Sequence, residues 1–232
     1  MAVFLTCKQA ANLAAIPPIK QRIILPWRKQ RGLKSFFQKG LIEAGVDEAG
    51  RGCLAGPVYA AAVVLPPGFR NPGINDSKKL QANERDRLRS IIEKKALQWA
   101  VASCTPTEID ELNILWASVK AMHLALAQLS VPPDLILVDG NRFRPFGEIR
   151  HQCLVDGDAL YLAIAAASIL AKTHRDEYMR QLHDQYPHYG WINNKGYATP
   201  EHKSALLLHG ECEHHRKSFD WNQPVQLELF ED

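Results

Sequence analysis

Short apolar runs alternate with longer stretches of helical periodicity along the chain. Runs rich in apolar and β-branched residues predict buried strands, and they lie at residues 41–47, 57–65, 99–103, 135–139 and 153–155. Apolar positions that recur every three or four residues predict helices, and they lie at residues 83–97, 105–129, 159–186 and 199–210. Strands that alternate with helices in this way predict an α/β fold.

The predicted helix that follows residue 105 has the clearest start signal. Thr105 can cap the helix, Pro106 suits its first turn, and Glu108 completes a capping box. We expect this helix to continue to about Leu129, because two prolines follow shortly afterwards. The helix predicted at residues 159–186 carries small residues at positions 163 and 165–168, which allow close packing on a sheet.

The composition is that of an ordinary globular protein, since 46% of the 232 residues are hydrophobic and 23% are charged. No apolar run approaches the roughly 18–20 residues of a membrane span, so we expect no membrane partner. The five cysteines are scattered and form no C-x-x-C pair. In the absence of a secretory signal, this pattern favours a reduced, cytoplasmic protein.

The net charge of +3 conceals an uneven distribution. Residues 1–40 contain eight basic residues and no acidic one, whereas 20 basic and 25 acidic residues follow Gly40. We therefore predict a basic N-terminal extension, residues 1–40, joined to a mildly acidic body. A solvated extension is the favoured interpretation, ahead of contact with nucleic acid through the phosphate backbone and of an organelle transit peptide.

Acidic residues follow three of the predicted strands. Asp47 and Glu48 end the first strand, Asp139 ends another, and Asp156 and Asp158 come before the long helix. Ligand sites of open α/β sheets form beyond the carboxyl ends of strands, so these acids can converge. Clustered carboxylates repel one another unless a cation joins them, and oxygen ligands favour Mg²⁺ or Mn²⁺ over zinc. Two such ions can activate water and stabilise the leaving oxygen of a phosphodiester.

The alternative is that these acids only end strands and cap turns. The glycine-rich segment after Glu48 weighs against that alternative, because turn formation alone does not require an arginine, Arg51, between Gly50 and Gly52.

Six motifs, in order, resemble the bacterial ribonuclease HII family, the type 2 ribonucleases H. They are GVDEAGRGCLAGPV at 45–58, NDSKKL at 75–80, LVDGN at 137–141, AAASILAK at 165–172 followed by Arg175 and Asp176, KGYAT at 195–199 and HHRKSF at 214–219. The resemblance covers about residues 41–220 and implies a ribonuclease H-like catalytic domain. Its expected architecture is a central mixed β-sheet flanked by helices, with a C-terminal helical segment.

The resemblance also implies the site residues. Asp47, Glu48, Asp139 and Asp158 match the four catalytic, metal-binding acids of the family, with two Mg²⁺ or Mn²⁺ ions during catalysis. Asp158 is preferred over Asp156 and Asp176 because it matches the family aspartate just before the helix. The expected substrate-binding residues are Gly50, Arg51, Gly52, Lys78, Ser168, Lys172 and Tyr197.

Among these residues, Gly50, Arg51 and Gly52 match the segment whose backbone senses a ribose 2′-hydroxyl, and Tyr197 matches a tyrosine that lies against the ribonucleotide. Spacing alone would instead favour a core role for Tyr197. One departure is Asn194, which stands where many family members have a histidine before Lys-Gly-Tyr. The basic extension is longer than the resemblance requires.

Two further patterns lie near the C terminus. His209, Glu211, Cys212, Glu213, His214 and His215 have zinc-ligand chemistry but not the paired spacing of structural zinc sites. Residues 226–230, QLELF, resemble the pentapeptide with which bacterial replication proteins bind the sliding clamp. In the tail, residues 221–232, we therefore expect partner binding by Gln226, Leu227, Leu229 and Phe230, unless these residues fold back on the body.

These observations predict a monomeric endonuclease that cuts on the 5′ side of a ribonucleotide, in RNA–DNA hybrids and in duplex DNA with embedded ribonucleotides. Two alternatives stay open at this point. One is a different metal nuclease of the same fold, which would cut all-DNA substrates. The other is a catalytically silent module that binds hybrids or the clamp.

Overall fold

The computed structural model describes residues 32–75, 77 and 80–222. Lys78, the four predicted clamp-binding residues and residues 1–31 of the basic extension lie outside this described part. Residues 32–40 pack against the body, where Lys34 pairs with Tyr161 in a β-bridge and the ring of Phe37 lies 5.8 Å from that of Tyr161.

A five-stranded mixed sheet forms the centre of the molecule. Its strands are β1 (Glu43–Ala49), β2 (Val58–Val64), β3 (Gln98–Cys104), β4 (Leu135–Asp139) and β5 (Arg150–Leu154). In the order β3-β2-β1-β4-β5, the first three strands are antiparallel neighbours, whereas β4 runs parallel to β1 and β5 parallel to β4. The predicted α/β class with a central mixed sheet is confirmed.

Helices cover both faces of the sheet. They are α1 (Ala82–Lys95), α2 (Pro106–Leu112), α3 (Ile114–Ala127), α4 (Leu162–Gln185), α5 (Trp191–Asn194) and α6 (Pro200–His209). Side chains of a strand alternate between faces, so Ala60 and Ala62 of β2 pack towards α3 while Ala61 and Val63 pack towards α4. Helices α5 and α6 form the predicted C-terminal helical segment, packed around the buried Trp191.

The small residues of α4 bring this helix against β1. Gly45 of β1 lies so close that a Cβ atom there would come within 2.2 Å of the Ala163 carbonyl carbon. A side chain at position 45 would therefore push the helix off the sheet. Close packing of α4 on the sheet, expected from its small residues, is confirmed.

The single helix predicted for residues 105–129 is wrong. The chain forms α2, with the predicted capping box of Thr105 and Glu108, and then starts again as α3. Asn113 separates the two helices with a φ of 64°, and its Oδ1 accepts hydrogen bonds from the N–H groups of Leu115 and Trp116. An asparagine that caps a helix in this way begins a new one in a new direction.

None of the helices within the described residues combines the length and the apolar character that crossing a bilayer requires.

A carboxylate site at the end of the central strands

Three of the four predicted acids lie together at one end of the sheet. Val46 of β1 pairs with Val138 of the parallel strand β4, so Asp47 and Asp139 follow at the same level on adjacent strands. Asp47, Glu48 and Asp139 all line one cavity of about 500 Å³. The convergence expected from strand ends is therefore present for these three side chains.

The pleat of the strands divides the acids between two faces. Asp47 and Asp139 lie on the face of the sheet whose residues pack towards α4. Glu48 lies on the other face, with Ala44 and Val46, which pack towards α3. Glu48 therefore also lines a second, smaller cavity of about 180 Å³ with Asp139 and residues of α3.

Burial and mutual repulsion disfavour the ionised forms of these acids. Burial raises the pKa of Asp47 well above its usual range, and the neighbouring Glu48 and Asp139 carboxylates raise it further. Burial likewise raises the pKa of Glu48, although Arg51, whose Nη1 lies 3.0 Å from Glu48 Oε1, opposes the effect. A divalent cation bound between these groups would relieve both penalties, since opposite charge favours the ionised form.

A short hydrogen-bond chain supports the ionised form of Asp47. The backbone N–H of Glu48 donates to Asp47 Oδ1 at 2.7 Å, and Ser168 of α4 donates to the same carboxylate. The Ser168 hydroxyl lies 2.9 Å from that of Ser77. When Asp47 is ionised and accepts from Ser168, Ser77 is the donor to the Ser168 hydroxyl. Ser77, absent from the sequence-based site, thus orients a predicted site residue.

Asp158 is placed differently from the other three acids. It is buried, 3% exposed, within a 3₁₀ turn at Gly157–Ala159 and does not line the cavity. The turn is nevertheless tied to the site, because the N–H of Gly157 donates to Asp139 Oδ1 at 2.8 Å.

The cavity offers few protein ligands for a metal ion. Over the described residues, no three His, Cys, Asp or Glu side chains stand close enough together to hold an ion. Mg²⁺ is usually held by one or two protein carboxylates, with waters and substrate phosphates completing its shell. Asp47 and Asp139, adjacent and mutually repelling, fit an ion bound in that way.

Cationic and aromatic groups also line the cavity. Lys172 of α4, 2.6 Å from Asp176 Oδ1, lines it together with the predicted Ser168 and the half-exposed Tyr197. Lys172 Nζ lies 5.9 Å from the centre of the Tyr197 ring. Burial raises the pKa of the Tyr197 hydroxyl, which keeps it protonated near neutral pH. Because its side chain is half exposed, Tyr197 is not the core residue that spacing alone favours.

Arg85 of α1 also lines this cavity and was not among the residues predicted from the sequence. Its Nη1 donates to the Ser77 carbonyl at 3.2 Å, and its Nη2 lies 3.8 Å from Asp176 Oδ2. The available signal was its position one turn before Leu88, on the helix face that packs against α4.

Asn194, the departure from the family pattern, is buried away from the cavity. Its Nδ2 donates to the Tyr189 carbonyl and its Oδ1 accepts from the Gly196 N–H, both at 2.8 Å. It therefore shapes the turn that carries Tyr197.

The alternative zinc cluster is not assembled by the structure. The backbone nitrogen and the Sγ of Cys212 lie 3.0 and 3.3 Å from His215 Nδ1. The neighbouring His214 instead packs edge-on against Tyr186.

Comparison with known proteins gives a consistent result. The model of the ribonuclease HII family matches residues 44–222. Ribonuclease HII of Bacteroides thetaiotaomicron is 55% identical over 197 residues, which are 85% of this chain and 98% of that protein.

Two solved structures share the fold. The crystal structure of ribonuclease H2 from Pyrococcus horikoshii superposes with a TM-score of 0.67 at 28% identity, covering 77% of this chain and 94% of that one. A structure of the PCNA:RNase HII complex from Archaeoglobus fulgidus gives a TM-score of 0.65 at 26% identity, covering 80% of this chain and 98% of that one. The predicted ribonuclease H-like fold is confirmed.

Proposed function

This chain belongs to the ribonuclease HII family, and we propose that it hydrolyses the phosphodiester on the 5′ side of a ribonucleotide, leaving 3′-hydroxyl and 5′-phosphate ends. The family degrades the RNA of RNA–DNA hybrids, and its members are metal-dependent endonucleases. The proposed substrates are such hybrids and duplex DNA with embedded ribonucleotides. The corresponding roles in the cell are ribonucleotide removal and primer clean-up by a monomeric, cytoplasmic enzyme.

The observation that carries this proposal is the composition of one cavity. It combines the adjacent carboxylates of Asp47 and Asp139 with the backbone of Gly50, Arg51 and Gly52. Acids that attract divalent cations are thus placed beside main-chain groups that can approach a sugar closely. A protein distinguishes RNA from DNA by reading the 2′-hydroxyl, and both requirements meet here.

In this proposal, Asp47, Glu48, Asp139 and Asp158 hold two Mg²⁺ or Mn²⁺ ions. When bound, such ions supply an activated water and neutralise charge on the leaving oxygen. Asp158 does not line the cavity, so its part in this proposal rests on the resemblance, although its turn is tied to the site by the Gly157 N–H, which donates to Asp139 Oδ1. A hydrogen bond from Ser168 opposes the rise in the pKa of Asp47 and favours its ionised form.

The remaining groups of the cavity hold the nucleic acid. Lys172 and Arg85 place positive charge in the same cavity as the acids, where they can neutralise backbone phosphates. Tyr197, 41% exposed, offers a ring face to a sugar or base. We assign Lys78 to the same phosphate contacts on the resemblance alone.

The test is a cleavage assay on a DNA duplex that contains one ribonucleotide, with Mg²⁺ and with a chelator. We expect a single cut 5′ of the ribonucleotide, only with the metal. Asp139→Asn and Asp158→Asn should each lose at least about 100-fold in kcat, since a lost metal ligand costs more than the roughly 10–100-fold of a lost second-shell partner. The control is Asp156→Asn, since Asp156 is exposed, two residues from Asp158, and its φ of 54° suits asparagine.

Each alternative predicts a different pattern in that assay. Cleavage of the matched all-DNA duplex would indicate another metal nuclease of the same fold. Binding of the ribonucleotide duplex without cleavage would indicate a catalytically silent module. Equal loss in the Asp156 and Asp158 variants would remove Asp158 from the proposed metal ligands.

We further propose that the tail binds the sliding clamp through Gln226, Leu227, Leu229 and Phe230. The motif itself supports this, as does the Archaeoglobus fulgidus structure, in which a ribonuclease HII is in complex with PCNA. Deletion of residues 224–232 should abolish clamp binding in a pull-down or titration and leave cleavage of short hybrids unchanged. Clamp binding that survives the deletion would contradict the proposal.

A further inference from the structure

Two arginines are buried beneath the glycine loop. Arg175 of α4 is 0% exposed and Arg216, after α6, is 1% exposed. Within the described part of the chain, neither guanidinium comes within 4.0 Å of a carboxylate oxygen. Burial lowers the pKa of Arg216 to about 10, and the nearby Arg175 adds to the effect. Buried charges are costly unless other groups satisfy them, so their partners are informative.

Those partners are all main-chain carbonyls of two neighbouring segments. Arg175 donates to the carbonyls of Pro57 at 3.0 Å, Ala55 at 3.0 Å and Lys195 at 2.9 Å. Arg216 donates to those of Gly56 at 2.9 Å, Arg51 at 2.8 Å and Gly50 at 2.7 Å. The two guanidiniums therefore fix five carbonyls of the loop at residues 50–57, hereafter the glycine loop, and one carbonyl beside Tyr197.

The direction of these carbonyls determines where the amide groups point. In a trans peptide, the C=O and the following N–H lie in one plane and point in opposite directions, and the described residues include no cis bond. Because the Gly50 and Arg51 carbonyls point at Arg216, the N–H groups of Arg51 and Gly52 point away from it. Arg51 and Gly52 line the cavity that contains Asp47 and Asp139.

The amides of the glycine loop fall into two groups. The N–H groups of Leu54 and Ala55 donate to the Gly196 carbonyl, and that of Gly56 donates to the His214 carbonyl. The N–H groups of Arg51 and Gly52, in contrast, donate to no other described residue. Two main-chain donors are thus held at the cavity wall with their capacity unused.

Gly50 and Gly52 have different surroundings, on the inner and outer sides of the loop. A Cβ at Gly50 would lie 2.0 Å from Arg175 Nε, and its φ is 92°, so glycine is required there by the buried arginine. A Cβ at Gly52 would meet nothing within 4 Å. Gly50 therefore serves the inner, arginine side of the loop, whereas Gly52 leaves its outer side open for a close-fitting ligand.

We propose that Arg175 and Arg216 are positioning residues, which hold the carbonyls of the glycine loop inwards and so aim the N–H groups of Arg51 and Gly52 at the ribose 2′-hydroxyl and its adjacent phosphate. The inference rests on the proposed function for the identity of the ligand. Arginine suits the task because its planar guanidinium carries five donors in a fixed arrangement, whereas lysine presents a compact charge. Donors fixed before the substrate arrives need no reorganisation during the reaction.

The test compares Arg175→Lys and Arg216→Lys with Arg89→Lys. Arg89 is partly buried and pairs with Glu93 and Glu177, away from the glycine loop, so its variant controls for destabilisation. Affinity is measured for a duplex with one ribonucleotide and for the same duplex in DNA, in Ca²⁺ to prevent cleavage. We expect Arg175→Lys and Arg216→Lys, the two loop variants, each to lower the ratio of ribonucleotide-duplex affinity to DNA-duplex affinity about tenfold. That is the effect of about one lost hydrogen bond. Affinity for the all-DNA duplex, which keeps the phosphate but lacks the 2′-hydroxyl, should fall less.

A second measurement needs no substrate. Amide hydrogen exchange of the free proteins should be faster at residues 50–57 in both loop variants than in the wild type, and unchanged there in Arg89→Lys. Unchanged loop exchange together with an unchanged affinity ratio would overturn the inference. If the wild type shows no ribonucleotide preference while loop exchange responds to the variants, the positioning role stands and the proposed function fails.

Discussion

At the scale of single residues, Asp47 couples the stability of the fold to the proposed chemistry. It is 5% exposed, lies beside two other carboxylates, and has a pKa raised mainly by burial. A carboxyl group with a raised pKa lowers the stability of the folded state once it ionises, because the unfolded chain ionises at lower pH. The penalty is therefore present at neutral pH and disappears in acid.

We expect Asp47→Asn to abolish cleavage and to stabilise the metal-free protein at pH 7 by about 1 kcal/mol, or roughly 2–4 °C in melting temperature. The amide has nearly the same shape, removes the repulsion and still accepts from Ser168. Melting in a chelator at pH 7 and at pH 4 measures the effect, which should vanish at pH 4. Asp86→Asn, on the exposed face of α1, is the matched charge control. A stability gain that persists unchanged at pH 4 would contradict this explanation.

At the scale of elements, the strands were predictable because their pattern is local. The apolar run at Leu135–Asp139 has the predicted bounds, and acids at the ends of such runs converge whenever the strands are adjacent and parallel. Asp47 and Asp139 could thus be placed together from sequence. The strand order that makes β1 and β4 neighbours is a tertiary property, which periodicity does not contain.

Helix direction was less predictable, for an identifiable reason. Residues 105–129 keep their apolar periodicity across Asn113, so the pattern continues although the backbone turns. The position of Asp158 relative to the cavity was not predictable either, because its side chain lies in a single short 3₁₀ turn, Gly157–Ala159. The roles of Arg175 and Arg216 also depend on carbonyls more than 100 residues away in the chain.

At the scale of the whole molecule, a chain of histidines ties the C-terminal segment to the turn that carries Tyr197. His202 Nδ1 lies 2.9 Å from the Tyr197 carbonyl and must donate to it. The other nitrogen, Nε2, then accepts from Trp191 Nε1 at 3.0 Å and from His215 Nε2 at 3.2 Å. His215 Nδ1 in turn accepts from the Cys212 N–H at 3.0 Å. The acceptor roles of His202 Nε2 and His215 Nδ1 in this chain require both imidazoles to be neutral.

Protonation therefore breaks the chain and opposes folding. Burial lowers the pKa of His215 to about 4, with a further contribution from His202, whose own pKa burial also lowers. An unfolded histidine titrates near pH 6.5, so the unfolded state binds more protons between that pH and pH 4. Stability is complete above about pH 6.5 and falls as the pH drops towards 4.

We expect His215 to account for a loss of about 2 kcal/mol in the free energy of unfolding between pH 7 and pH 5. His215→Gln removes the titrating group, so it should lower stability at pH 7 and flatten the pH dependence by that amount. His209→Gln, at an exposed histidine of α6, should leave the dependence unchanged. Free energies of unfolding are measured by urea titration at each pH. Because the acids of the carboxylate site contribute with the opposite sign, the quantity to compare is the difference between the wild-type and variant slopes of unfolding free energy against pH. Parallel slopes for the wild type and His215→Gln would show that the neutral histidine chain does not control acid stability.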